Sequence, residues 1–170
     1  MSRGFVKEDD QEEVPMVPQR AYLPEGVTNF VTPAGMEQLL AERQALIDER
    51  ENVNITVESE KRIAVNHINA QLQQLNNRIA SARLVNPEEQ PKNEIRFSAS
   101  VRLKTLSTGN IQTFQIVGVD EADISKGKIS FISPLARLLI NKKAGDKVVL
   151  KRPGQDTVFE IMGIEYSGNA

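Results

Sequence analysis

The sequence of 170 residues contains no cysteine and only one histidine. Without cysteine there are no disulfides and no thiol chemistry, and no cysteine or second histidine could join His67 in a metal site. We therefore interpret His67 as an ordinary exposed side chain on the polar flank of a helix. The sequence also lacks the glycine-rich phosphate loop of nucleotide-binding proteins and the nucleophile elbow of serine hydrolases. From these absences we expect a protein that is not an enzyme.

Long apolar runs are also missing, since no stretch approaches the roughly 18–20 residues that a membrane span needs. The first seven residues are followed by acids rather than by an apolar core, so we expect no signal peptide and a reducing, cytoplasmic setting. The formal net charge is −2, but residues 1–93 carry −5 and residues 94–170 carry +3. This asymmetry is too small to predict a nucleic-acid groove by itself.

Residues 1–31 are predicted to form an acidic, flexible tail. The stretch has five acids between Glu8 and Glu13, and Pro15, Pro18 and Pro24 would interrupt a helix. It shows no apolar periodicity, and such a composition is typical of disordered or surface-draped segments. The alternative is a segment that becomes ordered on a partner.

What the sequence does contain is an apolar seam between residues 32 and 85. Apolar residues in its second half recur at alternating spacings of three and four, the seven-residue repeat of a helix packed lengthwise on a partner. They are Val65, Ile68, Leu72, Leu75, Ile79 and Ala82. Thr32 and Pro33 mark the start of a first helix, which has its own apolar face and runs to about Asn52. We predict an antiparallel helical hairpin, a coiled coil, over residues 32–85, with the second helix running to about Leu84.

Residues 52–57 join the two helices, and their β-branched side chains make poor helix. We interpret them as a turn, with a short strand as the competing prediction, and expect Asn54 or Thr56 to cap the second helix. Acids cluster around this tip. They are Asp48, Glu49, Glu51, Glu58 and Glu60. Clustered carboxylates can hold a hard cation such as Mg²⁺, but acids at a helix N-terminus are also typical of a solvated helix end, and the residues alone favour the latter.

From residue 94 the apolar period changes to two, which indicates strands. The polar residues 86–93 before this change are predicted to be a linker, and Asn86-Pro87 ends any preceding helix. Short strands are predicted over residues 97–103, 111–119, 128–132, 147–150 and 158–166. A short helix is predicted to begin at Ser133-Pro134. The sequence therefore predicts a compact antiparallel α+β domain over residues 94–168 and an α+β fold class for the chain.

Parts of this second domain resemble a known family. The run from Gly127 to Asp146, together with Phe114 to Gly118 and Asp120 to Asp123, closely resembles the C-terminal domain of the bacterial Gre-type transcription elongation factors. Thr32-Pro33-Ala34-Gly35 resembles the start of their N-terminal hairpin, so the resemblance covers about residues 30–167. It implies an FK506-binding-protein-like (FKBP-like) C-terminal domain that docks at the mouth of the RNA polymerase secondary channel, while the coiled coil enters the channel.

The resemblance also implies roles for particular residues. The loop that carries Ser133 and Pro134 matches the polymerase-contacting loop of the family, so Ile132, Ser133, Pro134 and Arg137 are its candidate polymerase contacts. Ile132 stands where family members often have Asp or Asn. In the transcript-cleaving members, acids at the tip help to bind a second Mg²⁺ at the polymerase's own active site. The polymerase performs the hydrolysis, so the resemblance implies a helper with no cofactor of its own.

The tip departs from the motif of the cleaving members, which has the form Gly-Asp-x-x-Glu-Asn-x-Glu-Tyr. In the corresponding residues 57–65, Glu58 stands in for the aspartate and Lys61 lies near the next acid, which reverses its charge. The hairpin also looks shorter than usual by about one helical turn per arm, or about 5.4 Å, which a metal–oxygen bond of about 2.0–2.1 Å cannot bridge. We therefore expect a divergent member that modulates elongation or initiation from the channel, with weak or no stimulation of transcript cleavage.

Other functions stay open at this stage. One is a genuine cleavage factor that rescues backtracked complexes with the tip acids Glu58, Glu60 and Glu51, with indirect contact to the transcript RNA. Another is a polymerase-independent adaptor whose hairpin is a dimerisation surface, whereas the leading hypothesis expects a monomer. A prolyl isomerase is a weaker alternative from the fold alone, because the core is expected to claim most of the aromatic residues of the domain.

Overall fold

The computed structural model describes residues 15–167, so the acids between Glu8 and Glu13 lie outside the described residues. This part of the chain contains three α-helices and seven strands. In chain order they are β1 (Asn29–Val31), α1 (Pro33–Glu51), α2 (Glu58–Ser81), β2 (Ala82–Leu84), β3 (Ser100–Thr105), β4 (Ile111–Val117), β5 (Lys128–Ser130), α3 (Pro134–Leu139), β6 (Lys147–Leu150) and β7 (Thr157–Glu165). Within residues 15–167, no helix has the length and apolar character needed to cross a membrane.

Helices α1 and α2 pack against each other, and we call them the helical pair. Helix α1 begins as predicted, because the Oγ1 of its cap Thr32 accepts a hydrogen bond from the Gly35 backbone N at 2.9 Å. Leu39 of α1 and Leu75 of α2 are buried in one cluster near the start of α1. Towards the other end of α1, the Arg50 guanidinium donates to Asn69 Oδ1 at 2.9 Å. Contacts that advance along α1 therefore move back along α2, so the two helices are antiparallel.

The second helix is shorter than the predicted end at Leu84, because the chain leaves it at Ala82 and continues as β2. Strand β2 pairs in parallel with β1. The predicted flexible arm included residues 29–31, which instead form β1. Asn29 is buried at this junction, and its Nδ2 donates to the Arg78 carbonyl at 3.0 Å. This bond fixes β1 against the last turn of α2.

Residues 52–57 connect the helices without forming a strand, as the turn interpretation predicted. The predicted cap is wrong, because the N-cap of α2 is Val57 and neither Asn54 nor Thr56. A valine side chain has no oxygen to offer, and no side-chain hydrogen bond caps this helix. Two acids in the first turn of α2, Glu58 and Glu60, supply the favourable charge at the positive end of the helix dipole.

Residues 94–167 form the C-terminal unit, built on a five-stranded sheet in the order β5-β4-β3-β7-β6. The sheet is mixed, because β4 and β5 are parallel, whereas the sequence predicted an antiparallel domain. The buried core of the unit is mostly aliphatic, and its members are Ile95, Phe97, Ala99, Val101, Leu103, Ile116, Ile129, Ala136, Leu139, Val148, Phe159 and Ile161. The α+β class predicted from the sequence is confirmed.

Strand β3 begins at Ser100, three residues later than the apolar alternation predicted. The cause is Ser98, which has a φ of 76° and therefore interrupts the extended backbone. Its backbone N donates to the Ile116 carbonyl at 2.9 Å, and Ala99 N donates to the Arg96 carbonyl at 3.2 Å. The chain thus turns once before it joins the sheet.

The helical pair and the C-terminal unit meet at β1. The rings of Phe30, Phe97 and Phe131 pack in a triangle whose centroids are 5.7 Å apart along each side. Beside this cluster, the Thr32 hydroxyl donates to the buried carboxylate of Glu121. The cap of α1 is therefore also a contact with the C-terminal unit.

Candidate functional site

The tip of the helical pair, formed by residues 52–57 and the adjoining helix ends, carries the acids that the sequence singled out. Glu51 is the last residue of α1, while Glu58 and Glu60 lie in the first turn of α2. All three side chains are exposed. Among residues 15–167, no three Asp, Glu, His or Cys side chains are grouped so that they could hold a metal ion. The fold thus places the three acids at one end of the helical pair without bringing them together as a set of metal ligands.

The same tip exposes aliphatic side chains that the sequence analysis did not identify as functional. Val57 is 50% exposed and Ile63 is 67% exposed. Ile63, Val53 and Ile55 line an open groove of about 510 Å³ together with His67. His67 is half-buried in this groove, whereas the sequence predicted an ordinary exposed side chain. The excess of β-branched residues at the turn was visible in the sequence, but their exposure depends on how the two helix ends meet.

The second set of predicted site residues surrounds the start of α3. The Ser133 Oγ accepts a hydrogen bond from the Ala136 backbone N at 3.3 Å, so this hydroxyl serves as the helix cap. Ile132 and Ser133 are half-buried, while Pro134 and Arg137 are exposed. Because Pro134 and Arg137 are three residues apart on a helix, they present neighbouring side chains on one surface.

Arg137 is the charged member of this surface. It forms no ion pair with any acid of residues 15–167. A guanidinium offers five N–H donors in a planar fork that suits a carboxylate or a phosphate. The start of α3 therefore provides a rigid surface with an apolar contact from Pro134 and a charged donor from Arg137.

Close contacts near β1 join the helical pair to the part of the C-terminal unit that carries the α3 surface. A Cβ placed on Gly118 would lie 2.5 Å from the Phe30 carbonyl oxygen, so only glycine allows the two backbones to approach this closely. Glu121, which accepts the Thr32 hydroxyl, also pairs with Lys128 Nζ at 3.3 Å. The start of α1 is therefore bonded to the same part of the sheet from which the α3 loop emerges.

Comparison with known proteins gives consistent matches. The family profile described as "Transcription elongation factor, GreA/GreB, C-term" matches residues 90–166. Transcription elongation factor GreA of Thermodesulfovibrio yellowstonii is 34% identical over 127 residues, which are 75% of this chain and 78% of that protein. GreA of Thioalkalivibrio sulfidiphilus is 51% identical over 73 residues, 43% of this chain and 46% of that protein. The crystal structure of GreA factor homolog 1 (Gfh1) of Thermus thermophilus covers 82% of this chain and 99% of that chain, with 22% identity and a TM-score of 0.39.

Proposed function

Because this chain belongs to the GreA/GreB family of transcription elongation factors, we propose that it binds RNA polymerase and modulates elongation or initiation. In this proposal the C-terminal unit is FKBP-like and docks at the mouth of the secondary channel. The helical pair is an antiparallel coiled coil that enters the channel. The polymerase carries out the chemistry, and the chain acts as a monomeric cytoplasmic helper that is not itself an enzyme.

The surface at the start of α3 supports the docking part of the proposal. Pro134 and Arg137 are exposed side by side, and Ile132 and Ser133 hold the loop that precedes them. Such a surface needs little ordering on binding, because Ser133 already fixes the helix start through its hydrogen bond to the Ala136 backbone. Arg137 would pair with an acid on the polymerase, and Pro134 would pack beside it.

The observation that carries the proposed mechanism is the geometry of the tip. Glu58 and Glu60 are two residues apart on α2, and side chains at that spacing point to different sides of a helix. A single Mg²⁺ needs ligands at about 2.0–2.1 Å in near-octahedral geometry, which two diverging carboxylates cannot supply together. The exposed Val57 and Ile63 instead favour contact with the surface of a protein partner. We therefore propose that the tip occupies the channel, with weak or no stimulation of transcript cleavage.

The lengths of the helices set how far the tip can reach. Helix α1 has 19 residues and α2 has 24, which correspond to about 28 Å and 36 Å of rod. The short arms support a tip that narrows or blocks the channel without placing a carboxylate at the polymerase's own Mg²⁺.

The first experiment tests cleavage on a purified backtracked complex of the cognate polymerase. We expect little stimulated 3′ cleavage with the wild-type chain and no change with the double variant Glu58→Gln, Glu60→Gln. We also expect the chain to slow cleavage by an added cleaving factor, because both would use one channel.

The second candidate function, a true cleavage factor that shares the polymerase's Mg²⁺, has in its favour that both acids are exposed at the tip. Robust cleavage that disappears in the double variant would establish that candidate and refute ours.

A second experiment separates docking from tip contact. Arg137→Ala is expected to weaken polymerase binding by about 1–2 kcal/mol, as for a charged interface anchor, while Lys151→Ala serves as the exposed control. Ile63→Ser is expected to reduce the effect on transcription while the chain still folds, because Ile63 is already exposed. Ile124→Ser, at an exposed isoleucine of the C-terminal unit, is the matched control. Failure of the wild-type chain to bind polymerase, together with self-association in sedimentation, would favour an adaptor instead.

The aromatic triangle argues against the prolyl isomerase alternative. Phe97 is buried, and its ring packs against Phe131 and against Phe30 from β1. The chain's own β1 therefore covers this aromatic face, where a substrate would need an open pocket. We expect no isomerase activity on a proline peptide, and measurable turnover would contradict this assignment.

A further inference from the structure

The N-terminal segment, residues 15–28, contacts three separate parts of the fold through two neighbouring residues. The Arg20 guanidinium donates through Nη1 and Nη2 to the Glu42 carboxylate of α1 at 2.7 and 3.0 Å. Its Nε donates to Asp120 Oδ1 of the C-terminal unit at 3.1 Å. The adjacent Ala21 carbonyl accepts a hydrogen bond from Arg78 Nη2 of α2 at 2.6 Å. One short stretch thus bridges α1, α2 and the C-terminal unit.

Asp120 anchors this arrangement in the C-terminal unit. Its side chain is only 8% exposed and lies between two cations, with Arg20 at 3.1 Å and Arg78 Nε at 3.5 Å from its oxygens. The Arg20 side chain is itself 18% exposed. Charge-assisted bonds with this degree of burial are stronger than exposed ion pairs, and the bidentate contact with Glu42 adds directional specificity. The hydrogen bond to Glu42 raises the pKa of Arg20, and burial of the side chain opposes this effect.

The connection from Arg20 to β1 is restrained. Val27 N donates to the Pro24 carbonyl at 3.2 Å, and Gly26 has a φ of 79°, which completes a tight turn. Proline at the start of this turn reduces the number of conformations that the free segment can adopt. Ordering Arg20 against its two carboxylates therefore costs less conformational entropy than it would in an unrestrained segment.

We propose that the N-terminal segment is an intramolecular strap, which fixes the orientation of the helical pair relative to the C-terminal unit. Arg20 joins the helical pair to the C-terminal unit at a place separate from their direct contact at β1. Releasing Arg20 would leave Phe30, the Thr32–Glu121 bond and the Arg78–Asp120 pair as the main connections. The strap is a property of the free chain, so it can be tested separately from the proposed function. A pair held in one orientation would also lose less entropy when it binds a partner.

Distance measurement by pulsed electron spin resonance on the full chain tests the strap. Because the chain has no cysteine, spin labels can be attached specifically at Ser59→Cys on the tip and Ser107→Cys in the β3–β4 turn, both exposed positions. The wild-type background is expected to give one narrow distance distribution. Arg20→Met is expected to raise the population of other distances about tenfold, equivalent to about 1.4 kcal/mol. The control Lys151→Met removes the same charge and an exposed ion pair with Asp156 within the C-terminal unit, and should change nothing.

Two milder variants keep the test decisive if circular dichroism shows that Arg20→Met does not fold. Arg20→Lys keeps the charge but loses the fork that spans both carboxylates, and Glu42→Gln weakens only the α1 side. Each is expected to broaden the distribution less than Arg20→Met. An unchanged distribution in folded Arg20→Met, or in both milder variants, would overturn the strap. Equal broadening by Lys151→Met would overturn it as well, because the change would then reflect charge alone.

Discussion

Replacing Ser98 with glycine should stabilise the C-terminal unit, although the residue is almost completely buried. Ser98 has a φ of 76°, in the left-handed region where a Cβ costs about 1–2 kcal/mol. Its buried Oγ has no hydrogen-bond partner among the described residues, and such an orphaned hydroxyl costs about 1–3 kcal/mol. The wild-type residue therefore carries two separate penalties at one position.

Two substitutions separate these penalties. Ser98→Ala removes the hydroxyl but keeps the Cβ, so it should recover only the penalty of the unpaired hydroxyl, about 1 kcal/mol. Ser98→Gly removes both, at the cost of about 0.5–1 kcal/mol of backbone entropy and a small void, which leaves a net gain of about 1–2 kcal/mol. Asn141→Gly is a useful comparison, because Asn141 also has a positive φ of 71° but is exposed. Asparagine tolerates this conformation, so Asn141→Gly should increase the free energy of unfolding by only a few tenths of a kcal/mol.

Urea unfolding followed by circular dichroism measures these differences. With an m-value of about 2 kcal/mol/M, Ser98→Gly should raise the midpoint by about 0.5–1 M without a change in m. The order of stability is expected to be Ser98→Gly, then Ser98→Ala, then the wild type. A midpoint lowered by Ser98→Gly would refute the reasoning, since it would mean that the Cβ and hydroxyl contribute more through packing than they cost. A gain in Ser98→Ala as large as in Ser98→Gly would show that the backbone is not strained.

Two further predictions concern close contacts made by residues of the C-terminal unit. Gly118→Ala should destabilise the chain by about 1–3 kcal/mol in urea unfolding, because the new Cβ would meet the Phe30 carbonyl oxygen at 2.5 Å; an unchanged midpoint would contradict the close approach. Tyr166→Phe should cost about 1 kcal/mol near pH 7, because the hydroxyl donates to the Glu94 carbonyl and accepts from the Arg96 backbone N at 2.7 Å. Burial raises the pKa of Tyr166. The stabilisation by its hydroxyl is therefore present below the unfolded pKa of about 10 and is lost as the pH rises through the folded pKa. The alkaline fall in stability should therefore be smaller in Tyr166→Phe, and an equal fall in both chains would count against this account.

Features of the fold that depend only on residues close together in the chain could be predicted from the sequence. Thr32-Pro33 and Ser133-Pro134 start their helices as expected, because a cap bonds a backbone N–H within three residues. The end of α2 could not be predicted in this way. Ala82–Leu84 continues the apolar helical pattern, yet it forms a strand because β1, about 50 residues earlier in the chain, is available as a partner. A local pattern contains no information about that partner.

The ion pairs of the N-terminal segment could not be predicted from the sequence for a related reason. Arg20 lies in a stretch whose prolines and acids are typical of a flexible tail, and it bonds Asp120 across 100 residues. A single arginine between such residues gives no periodic signal, and the pairing depends on the fold that brings Glu42 and Asp120 to one place. Similarly, the parallel pairing of β4 with β5 depends on the path of the connection rather than on the apolar alternation of either strand.

The tip shows why proximity in sequence is a poor guide to a site on a helix. Glu58 and Glu60 are close in the chain, but a helix turns by about 200° between them, so they diverge. Together with Glu49 and Glu60, the fold places aliphatic side chains such as Ile55 and Ile63 along one groove. Burying one such side chain against a partner is worth about 1.5–3 kcal/mol, or roughly tenfold to a hundredfold in affinity, without any metal. We therefore expect a partner that binds this tip to contact it through an apolar surface. Mutation of that surface should weaken the effect of the chain on transcription more than removal of the tip acids does.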